Sequence, residues 1–356
     1  MSSAVVTPDS VAAVVDAVRA APRVLAVGAG TKPALASVPS EFVRLSTAKL
    51  RGIIEYEPSE FTFTALAGTP VAEISAALAA QGQYLPFDPV LGEAGSTLGG
   101  ALAAGVSGPG RFRFGGLRDF ILGVKFVDGE GRLLRLGGKV VKNAAGFDVP
   151  KFFVGSAGRF GVLAELTFKV FPLPRARCTL RLDAPDAATR IRLLTELARG
   201  RWEIDALESP VSEPAVYARL AGPEAAITSL AQEILRTRAG CVLDANAADV
   251  FWREAVAFKW EHAQGSLAKV SLVPSQVAEF IQRLPALGDA RGWLGQGGNV
   301  AYVSTPDAGQ LPVWPWPTVS LRGVRAQWHG DGPVTPIMQA VKAVFDPHGR
   351  FPALSN

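Results

Sequence analysis

Apolar residues form two kinds of pattern along the first part of the chain, one typical of a helix and one typical of a buried strand. Between Val11 and Val18 they return every three or four positions, which predicts an amphipathic helix, and Thr7-Pro8 has the residue types of a helix N-cap and first turn. Residues 23–27 are short and mostly apolar, and they predict a buried strand that ends at Gly28. This succession of helix and strand is typical of βαβ units.

Further along, the pattern predicts more strands. Residues 51–56 and 61–67 predict a strand pair, and Thr69-Pro70 has the residue types that begin a helix. Apolar runs on both sides of the turn at residues 128–131 predict a hairpin. Apolar and polar residues alternate over residues 163–170, and this alternation predicts a strand that is buried on one face.

Two prolines mark a change in the pattern. Pro172-Leu-Pro174 cannot continue a central strand, so we place a domain boundary there. The expected domains are residues 1–174, residues 175–345 and a tail, residues 346–356, that packs back on the first domain. The second domain is predicted to be an α+β unit, with a mainly antiparallel sheet and helices on one face. Its predicted helices lie near residues 186–197, 223–238, 274–284 and 335–345, and its predicted strands include residues 215–220 and 300–304.

Length and composition agree with two packed domains. The chain has 356 residues, more than one hydrophobic core usually serves, and 48% of them are apolar while 19% are charged. The 36 Lys and Arg exceed the 32 Asp and Glu by only four, and no basic run is interleaved with aromatic residues. We therefore expect no nucleic-acid partner, whereas a small anionic substrate is compatible with this charge.

Cysteine content and the first residues bear on location. Cys178 and Cys241 are far apart and form no Cys-x-x-Cys pattern, so the thiols of this chain cannot assemble an iron-sulfur cluster or a zinc site. The first residues do not have the pattern of a secretory signal, and no stretch of about 20 apolar residues predicts insertion into a membrane. The expected location is the cytoplasm.

Three glycine-rich segments are the candidates for binding chemistry. The first, residues 28–32, follows a predicted strand, but Pro33 stands where a dinucleotide fingerprint has its third glycine. It predicts a phosphate-binding loop without a Rossmann helix, and an ordinary tight turn is the alternative. The second, residues 92–111, has small side chains that would let a flat ring lie against the backbone, and close helix packing is the alternative. The third includes residues 137–148 and 155–161.

These segments, in this order, resemble the FAD-binding domain of the vanillyl-alcohol-oxidase and p-cresol-methylhydroxylase superfamily of flavoproteins. Gly137-Gly-Lys-Val-Val-Lys-Asn-Ala-Ala-Gly-Phe-Asp148 and Gly155-Ser-Ala-Gly-Arg-Phe-Gly-Val-Leu163 are similar to the E subunits of bacterial glycolate oxidases. Phe251-Trp-Arg253 and residues 345–351 resemble the same subunits. The resemblance implies an α+β fold: a two-subdomain FAD-binding domain of the p-cresol-methylhydroxylase type, followed by an α+β cap domain.

The resemblance also implies roles for individual residues. Residues 28–32 would bind the pyrophosphate of FAD, and Thr97 to Gly100 with Ser107 and Gly108 would line its ribityl chain and isoalloxazine ring. Lys142, Asn143 and Gly146 would close the pocket, and Gly161 with Val162 would reach the adenine side. The full set of expected cofactor-binding residues is Gly28, Ala29, Gly30, Thr31, Lys32, Pro86, Gly95, Thr97, Leu98, Gly99, Gly100, Ala103, Ser107, Gly108, Lys142, Asn143, Gly146, Asp148, Gly161 and Val162.

Relatives with covalent FAD carry a histidine in or near the first loop, and its absence here implies non-covalent FAD. The implied function is that of an FAD-binding subunit in a complex that oxidises glycolate or another 2-hydroxy acid. Its partners would be a flavin-bearing catalytic subunit and an iron-sulfur subunit. A structural or assembly subunit that binds FAD without turnover is the alternative.

The sequence does not identify the catalytic residues. Oxidation of a 2-hydroxy acid needs a base for the hydroxyl proton and a cation for the carboxylate. His329 follows a predicted strand and is the best candidate base, whereas His262 and His348 have the contexts of structural or turn residues. Arg322 and Arg325 are candidates for holding a carboxylate, with surface ion pairs as the alternative.

Overall fold

The computed structural model of the chain describes residues 5–138, 148–309, 314–323 and 334–354, and the backbone of residues 328–329. The chain forms two compact units. The first consists of residues 1–107, 116–173 and 333–356, and the second of residues 108–115 and 174–332. The chain therefore passes from the first unit to the second at Pro174, the position that the two prolines mark. This division differs from the expected domain boundaries in two places. Residues 108–115 group with the second unit, and the last helix groups with the first.

A small parallel sheet opens the first unit. Val43–Ser46 is its central strand, and Val5–Val6 and Val24–Val27 pair with it in parallel on either side. The first helix is Val11–Ala20, and Ser10 caps it by accepting a hydrogen bond from the N–H of Ala13 at 3.2 Å. The helix is thus confirmed, but its predicted start at Thr7-Pro8 is wrong, because Ser10 and not Thr7 is the N-cap whose side chain accepts from a free N–H of the first turn.

The second sheet of the first unit is antiparallel and has five strands. The predicted strand pair and hairpin are both confirmed, but they belong to this sheet and do not continue a βαβ pattern. In spatial order the strands are Ile53–Glu57, Thr62–Leu66, Val162–Lys169, Ile121–Val127 and Leu133–Gly137. A further short pair joins Gln83–Tyr84 to Phe171–Pro172.

The central strand Val162–Lys169 is buried on both faces, which the alternating pattern did not predict. Its polar residues are accommodated by partners on neighbouring strands. Thr167 shares a hydrogen bond with Thr64 at 2.8 Å between their hydroxyl oxygens, and Glu165 forms an ion pair with Lys125 at 2.7 Å. Pairing of this kind lets polar side chains lie within a covered sheet.

Helices of the first unit pack on these two sheets. The helix that Thr69-Pro70 predicts is Val71–Ala79, and its buried side chains Val71, Ile74 and Leu78 follow the helical period. The α-helices described in this unit are Val11–Ala20, Val71–Ala79, Leu98–Ala104, Leu117–Phe120 and Pro336–Phe345, and the 3-10 helices are Pro33–Ala36, Pro58–Glu60 and Val149–Phe153.

The tail after Pro336–Phe345 packs within the first unit. The backbone carbonyl of Arg350 accepts a hydrogen bond from the N–H of Val24 at 2.7 Å. The guanidinium of Arg350 donates to the carbonyl of Ala21. Asp346, 4% exposed, accepts from the N–H groups of Arg350 and Phe351, and Lys342 donates to the same carboxylate. These bonds tie the tail to the start of the small parallel sheet.

The second unit is built on one sheet of nine described strands, and every pairing between them is antiparallel. The predicted antiparallel α+β unit is therefore confirmed. In spatial order the strands are Gly240–Val242, Ala176–Asp183, Ala215–Gly222, Ala206–Pro210, Arg291–Gly295, Val300–Ser304, Leu267–Ser271, Thr318–Arg322 and Trp328–His329. The helices described are Arg111–Phe114, Ala187–Arg199, Glu224–Leu235, Ala245–Ala257 and Val277–Arg283, with 3-10 helices Pro274–Gln276, Leu284–Leu287 and Gln296–Gly298.

The two faces of this sheet have different chemistry. One face carries aliphatic side chains and forms the core of the unit with the helices Ala187–Arg199, Glu224–Leu235 and Val277–Arg283. The other face carries larger and more polar side chains, and Phe251 of the helix Ala245–Ala257 stacks there on Tyr217 with a centroid distance of 3.8 Å. Helices therefore lie on both faces, and the expectation of helices on one face was wrong.

Candidate cofactor-binding site

The first glycine segment forms one wall of a groove in the first unit. It leaves the strand Val24–Val27, and the 3-10 helix Pro33–Ala36 follows it in place of a crossover helix. Gly30 has a φ of 70°, a conformation that glycine adopts readily, and no heavy atom lies within 4 Å of the position that a Cβ would take. The loop is therefore open on one side and has no Rossmann helix, as the sequence predicts.

Backbone donors of this loop have no protein acceptor. In the part of the chain that the structure describes, the N–H groups of Gly28, Ala29, Gly30 and Thr31 donate to no protein group. Donors in folded proteins are almost always paired with protein, water or a ligand. Four successive donors on the wall of a groove match the requirement of an anion with several oxygens, such as a pyrophosphate.

Lys32 adds a positive charge at the end of the loop. The side chain is buried, with 7% of the residue exposed, and its Nζ lies 3.2 Å from Thr31 Oγ1 and 3.4 Å from Ser96 Oγ. Both neighbours are neutral hydroxyls, and burial lowers the pKa of Lys32 to about 8. A bound anion would replace the lost solvation, so this lysine is suited to a phosphate.

The second wall is the start of the helix Leu98–Ala104. Thr97 is its N-cap, and its Oγ1 accepts a hydrogen bond from the N–H of Gly100 at 3.2 Å. The loop and this helix approach each other closely, because a Cβ on Gly28 would lie 2.4 Å from Thr97 Oγ1. Gly28 therefore leaves room for the side chain of Thr97, whereas Gly30 is favoured by its backbone conformation.

Close packing explains part of the second glycine segment. A Cβ on Gly99 would lie 2.8 Å from the Cβ of Ala67, and one on Gly105 would lie 2.9 Å from the Cα of Gly155. The packing alternative of the sequence analysis therefore applies to Gly99 and Gly105. The same packing brings Gly99, Gly100 and Ala103 to the groove wall, so small residues serve both purposes.

Residues 156–158 form a third wall that the sequence analysis did not assign. Ala157 has a φ of 45°, which is unusual for a residue with a side chain, and its N–H donates to the carbonyl of Ala103 at 2.9 Å. Ser156 is buried, and Gly158 has a φ of 76°. Their signal was present in the sequence, since residues 155–161 were noted as a glycine-rich segment, but only Gly161 was assigned from it.

The groove is open to solvent. It brings together expected residues from all three glycine segments, namely Gly28, Ala29, Gly30, Thr31, Lys32, Thr97, Gly99, Gly100, Ala103 and Gly161. It also includes residues that the sequence analysis missed, namely Ala26, Val27, Leu35, Ala36, Thr47, Ala67, Ala104, Ser156, Ala157, Gly158 and Leu163. Most of these are small apolar residues of sheet strands or turns, which carry no chemical signal of their own.

Other expected residues do not line this groove. Leu98 and Val162 are core side chains, each no more than 1% exposed, and Pro86 is buried. Ser107 accepts a hydrogen bond from the N–H of Leu117, and Asp148 is exposed and forms an ion pair with Lys151. Gly95 has a φ of 83° and open space around it, and Gly108 groups with the second unit. Lys142, Asn143 and Gly146 lie outside the described residues.

The candidate catalytic residues have the following positions. The ring of His262 is hydrogen-bonded through Nε2 to the carbonyl of Asp289 at 2.8 Å, and His348 is exposed in the turn of the tail. His329 is described only by its backbone, on a strand paired with Thr318–Arg322, so its role as a base stays a prediction.

Arg322 forms an ion pair with Glu261 at 2.7 Å and donates to the carbonyl of Gly265. These contacts fit the alternative of an ion pair within the protein, and a role in holding a substrate carboxylate stays a prediction. Arg325 lies outside the described residues.

Comparison with known proteins agrees with the geometry of the groove. Residues 2–137 match the family model described as "FAD binding domain". The first part of this chain is similar to FAD binding domains. FAD is its cofactor, and the backbone donors and buried lysine of the groove fit the pyrophosphate of that cofactor. The predicted cofactor is thereby confirmed.

Curated relatives are similar to about half of this chain. Glycolate oxidase subunit GlcE of Escherichia coli (strain K12) is 40% identical over 190 residues, which are 52% of this chain and 52% of the relative. Glycolate oxidase subunit GlcD of Bacillus subtilis (strain 168) is 30% identical over 43% of this chain and 33% of the relative. D-lactate dehydrogenase of Archaeoglobus fulgidus is 30% identical over 48% of this chain and 38% of the relative. The chain thus spans about half or less of the length of these relatives. The resemblance to glycolate oxidase E subunits is confirmed.

Solved structures support the fold. Two structures of alkyldihydroxyacetonephosphate synthase have TM-scores of 0.70 and 0.68 at 15% sequence identity, and each match covers 97% of this chain and 76% of the other. At this identity the likeness concerns the fold alone. It confirms the predicted α+β fold of the p-cresol-methylhydroxylase type.

Within the described residues, none of the helices combines the length and the apolar character that crossing a bilayer would require. The same residues contain no group of three or more His, Cys, Asp and Glu arranged to hold a metal ion.

Proposed function

We propose that this chain is the FAD-binding subunit of a cytoplasmic complex that oxidises glycolate, or another small 2-hydroxy acid, to the 2-oxo acid. The observation that carries the proposal is the groove of the FAD binding domain, in a chain that is 40% identical over 190 residues to a protein named as a glycolate oxidase subunit. D-lactate dehydrogenase, which matches at 30% identity, is also named for a 2-hydroxy acid. The common substrate class among these names supports the reaction type.

The groove residues would bind and orient the cofactor. The N–H groups of residues 28–31 would donate to the pyrophosphate oxygens, and the ammonium of Lys32 would balance their charge. Gly99, Gly100 and Ala103 leave room for the cofactor along the second wall, where larger side chains would fill the groove. When bound, FAD supplies the acceptor for the hydride that leaves the substrate carbon.

The cofactor is proposed to be non-covalent. The loop at residues 28–32 contains no histidine, and Cys178 and Cys241 both belong to the second unit. We expect acid precipitation of the purified protein to release all of its flavin into the supernatant. A yellow precipitate that keeps its absorbance after washing would contradict this expectation.

We further propose that turnover requires partner subunits, one bearing flavin and one bearing iron-sulfur clusters. His262 and His348, the two histidines whose side chains are described, have structural or exposed positions. Without a positioned base, an oxidation loses a factor of about 10²–10⁴ in rate. The same observation favours the second candidate function, an FAD-binding structural or assembly subunit without turnover.

One experiment separates these functions. The purified chain is mixed with glycolate under anaerobic conditions, alone and together with its partner subunits, and bleaching of the flavin absorbance is recorded. We expect slow or no bleaching alone and rapid bleaching of both flavins in the complex. If the flavin of this chain stays oxidised in an active complex, the structural function is correct. Rapid bleaching of the single chain, lost in His329→Ala, would show that it is catalytic on its own.

A further inference from the structure

A second cavity lies within the second unit, on the polar face of its sheet. It is formed at the strands Leu267–Ser271 and Val300–Ser304, beside the 3-10 helix Gln296–Gly298 and the short helix Arg111–Phe114. Its polar lining consists of Arg111, Lys269, Ser271, Gln296 and Asn299. None of these residues was predicted as a site residue, and the FAD groove contains none of them.

Register places Lys269 on the polar face. It pairs with Tyr302 on the next strand, which in turn pairs with Trp293, and side chains at paired positions lie on the same face of a sheet. The neighbouring residues Ala268 and Val270 point the other way, and Val270 is part of the aliphatic core. The lysine is therefore directed away from the core, to the side where the cavity lies.

The cavity brings two cations together without a counter-charge. In the part of the chain that the structure describes, neither Lys269 nor Arg111 has an ion pair or a side-chain hydrogen bond with a carboxylate. Burial, and to a lesser extent the charge of Arg111, lowers the pKa of Lys269 to about 8. Two unpaired cations that share one cavity are an arrangement that an anion stabilises.

Other arginines in the same unit are neutralised by the protein. Arg219 forms a buried ion pair with Asp205 at 2.6 Å, and Arg322 pairs with Glu261 at 2.7 Å. The buried Glu208 borders the cavity, since it accepts hydrogen bonds from Trp293 Nε1 at 2.6 Å and from the N–H of the lining residue Gln296 at 2.9 Å. Among the described residues, neither Lys269 nor the exposed Arg111 thus has such an ion pair.

We propose that this cavity binds the carboxylate of a small organic acid between the guanidinium of Arg111 and the ammonium of Lys269. The hydroxyl of Ser271 and the side-chain amide of Asn299 would supply further hydrogen bonds. Arginine suits a carboxylate because its N–H groups match the two oxygens. The choice of a carboxylate among small anions rests on the proposed function, whereas the anion site itself rests on the two cations.

The test is isothermal titration calorimetry of glycolate into the full chain loaded with FAD, at pH 7. We expect saturable binding that weakens about 10- to 100-fold in Lys269→Met and in Arg111→Gln, since each removes a charge-assisted hydrogen bond. Lys269→Arg should keep most of the affinity. Arg253→Gln is the matched control, because Arg253 is exposed on the helix Ala245–Ala257 and lies outside the cavity, and it should bind like the wild type.

Circular dichroism and flavin content show whether each variant is folded. Lys269→Met removes a part-buried charge, so it should not lower the unfolding temperature. Unchanged glycolate affinity in both folded variants, or no saturable binding in the wild type, would overturn the site. Phosphate that binds as tightly as glycolate and displaces it would overturn the assignment to a carboxylate.

This outcome is separable from that of the proposed function. Glycolate that binds in the cavity but never reduces the flavin, even with the partner subunits present, would support the site and contradict the oxidation. Glycolate that reduces the flavin at equal rates and equal half-saturating concentrations in the wild type and Lys269→Met would support the oxidation and contradict the site.

Discussion

The FAD groove of the first unit and the cation-lined cavity of the second unit are lined by different kinds of groups. The groove is lined by backbone and by small side chains, and Lys32 is the charged residue among its described lining. The cavity is lined by long polar side chains, with two cations among them. A wall of backbone donors fits an extended cofactor with many oxygens, whereas a pair of charged side chains selects a small ligand by its charge.

This difference also decides what a sequence reveals. Backbone walls need glycine at positions of positive φ or close approach, so they leave dense local motifs such as residues 28–32. The cavity combines Arg111, Lys269 and Asn299, which are separated by many residues and belong to a short helix, a strand and the end of a 3-10 helix. Only the tertiary fold brings them together, and no local pattern records it.

The largest expected effect concerns Gly30. Gly30→Val should abolish FAD binding, because a β-branched residue is strained at a φ of 70° and its side chain would occupy the open side of the loop. Flavin absorbance of the purified variant, relative to its protein absorbance, measures the loss. Full flavin content in a folded Gly30→Val protein would show that the pyrophosphate lies elsewhere.

Gly82→Val is the matched control for this substitution. Gly82 has a φ of 65° and also has no heavy atom within 4 Å of its Cβ position, but it lies outside the groove. Both variants should therefore lose similar stability from backbone strain, while only Gly30→Val loses FAD. Equal loss of flavin in the two variants would mean that strain, rather than the groove, is responsible.

The second expected effect is that of Lys32. Lys32→Met should weaken FAD binding about 10- to 100-fold, since it removes one charge-assisted hydrogen bond to the pyrophosphate. The apoprotein should be at least as stable as the wild type, because the substitution removes a charge that burial disfavours. Fluorescence titration of the apoprotein with FAD measures the first effect and thermal unfolding the second. Lys49→Met, at an exposed lysine, should change neither.

How far the sequence predicts each unit follows from the same physics. Short apolar runs and proline breaks predict most strands of the first unit and the boundary at Pro172-Leu-Pro174, because these signals are local. They do not predict that Val162–Lys169 is a central strand, since its polar residues depend on partners from other strands. In the second unit the helix Ala245–Ala257 was missed, although it covers the polar face of the sheet.

The candidate site, like the fold, is predicted only in part by the sequence. The sequence and the family resemblance identify the loop at residues 28–32 and the helix start at Thr97, both of which line the groove. The resemblance also assigned Leu98 and Val162 to the site, yet they are core side chains. Neighbours in sequence alternate between the groove and the core, and the glycine pattern alone does not say which of them faces the cofactor.

A third, smaller effect is the pH dependence of FAD binding. The pKa of Lys32 in the folded apoprotein is about 8, below its ordinary value of 10.5, so the folded apoprotein gains stability from this group as the pH rises from about 8 to about 10.5. Bound pyrophosphate favours the charged lysine, so binding takes up a proton above pH 8. The dissociation constant of FAD should rise by up to about tenfold per pH unit there. Lys32→Met should lose this slope, and an identical slope in the variant would assign the proton to another group.

The smallest effect tests whether Thr97 belongs to the helix or to the cofactor. Its Oγ1 caps the helix Leu98–Ala104 through Gly100, so Thr97→Val should lower the free energy of unfolding of the apoprotein by about 1 kcal/mol, while Thr97→Ser should cost only a few tenths. Urea denaturation measures both. If Thr97 is only a cap, the loss of FAD affinity in Thr97→Val should not exceed the loss of helix stability. A loss of about 1 kcal/mol corresponds to a weakening of roughly fivefold. A much larger loss of affinity with the same small loss of stability would show that the hydroxyl also contacts the cofactor, and the groove would then contain a side-chain contact beyond Lys32.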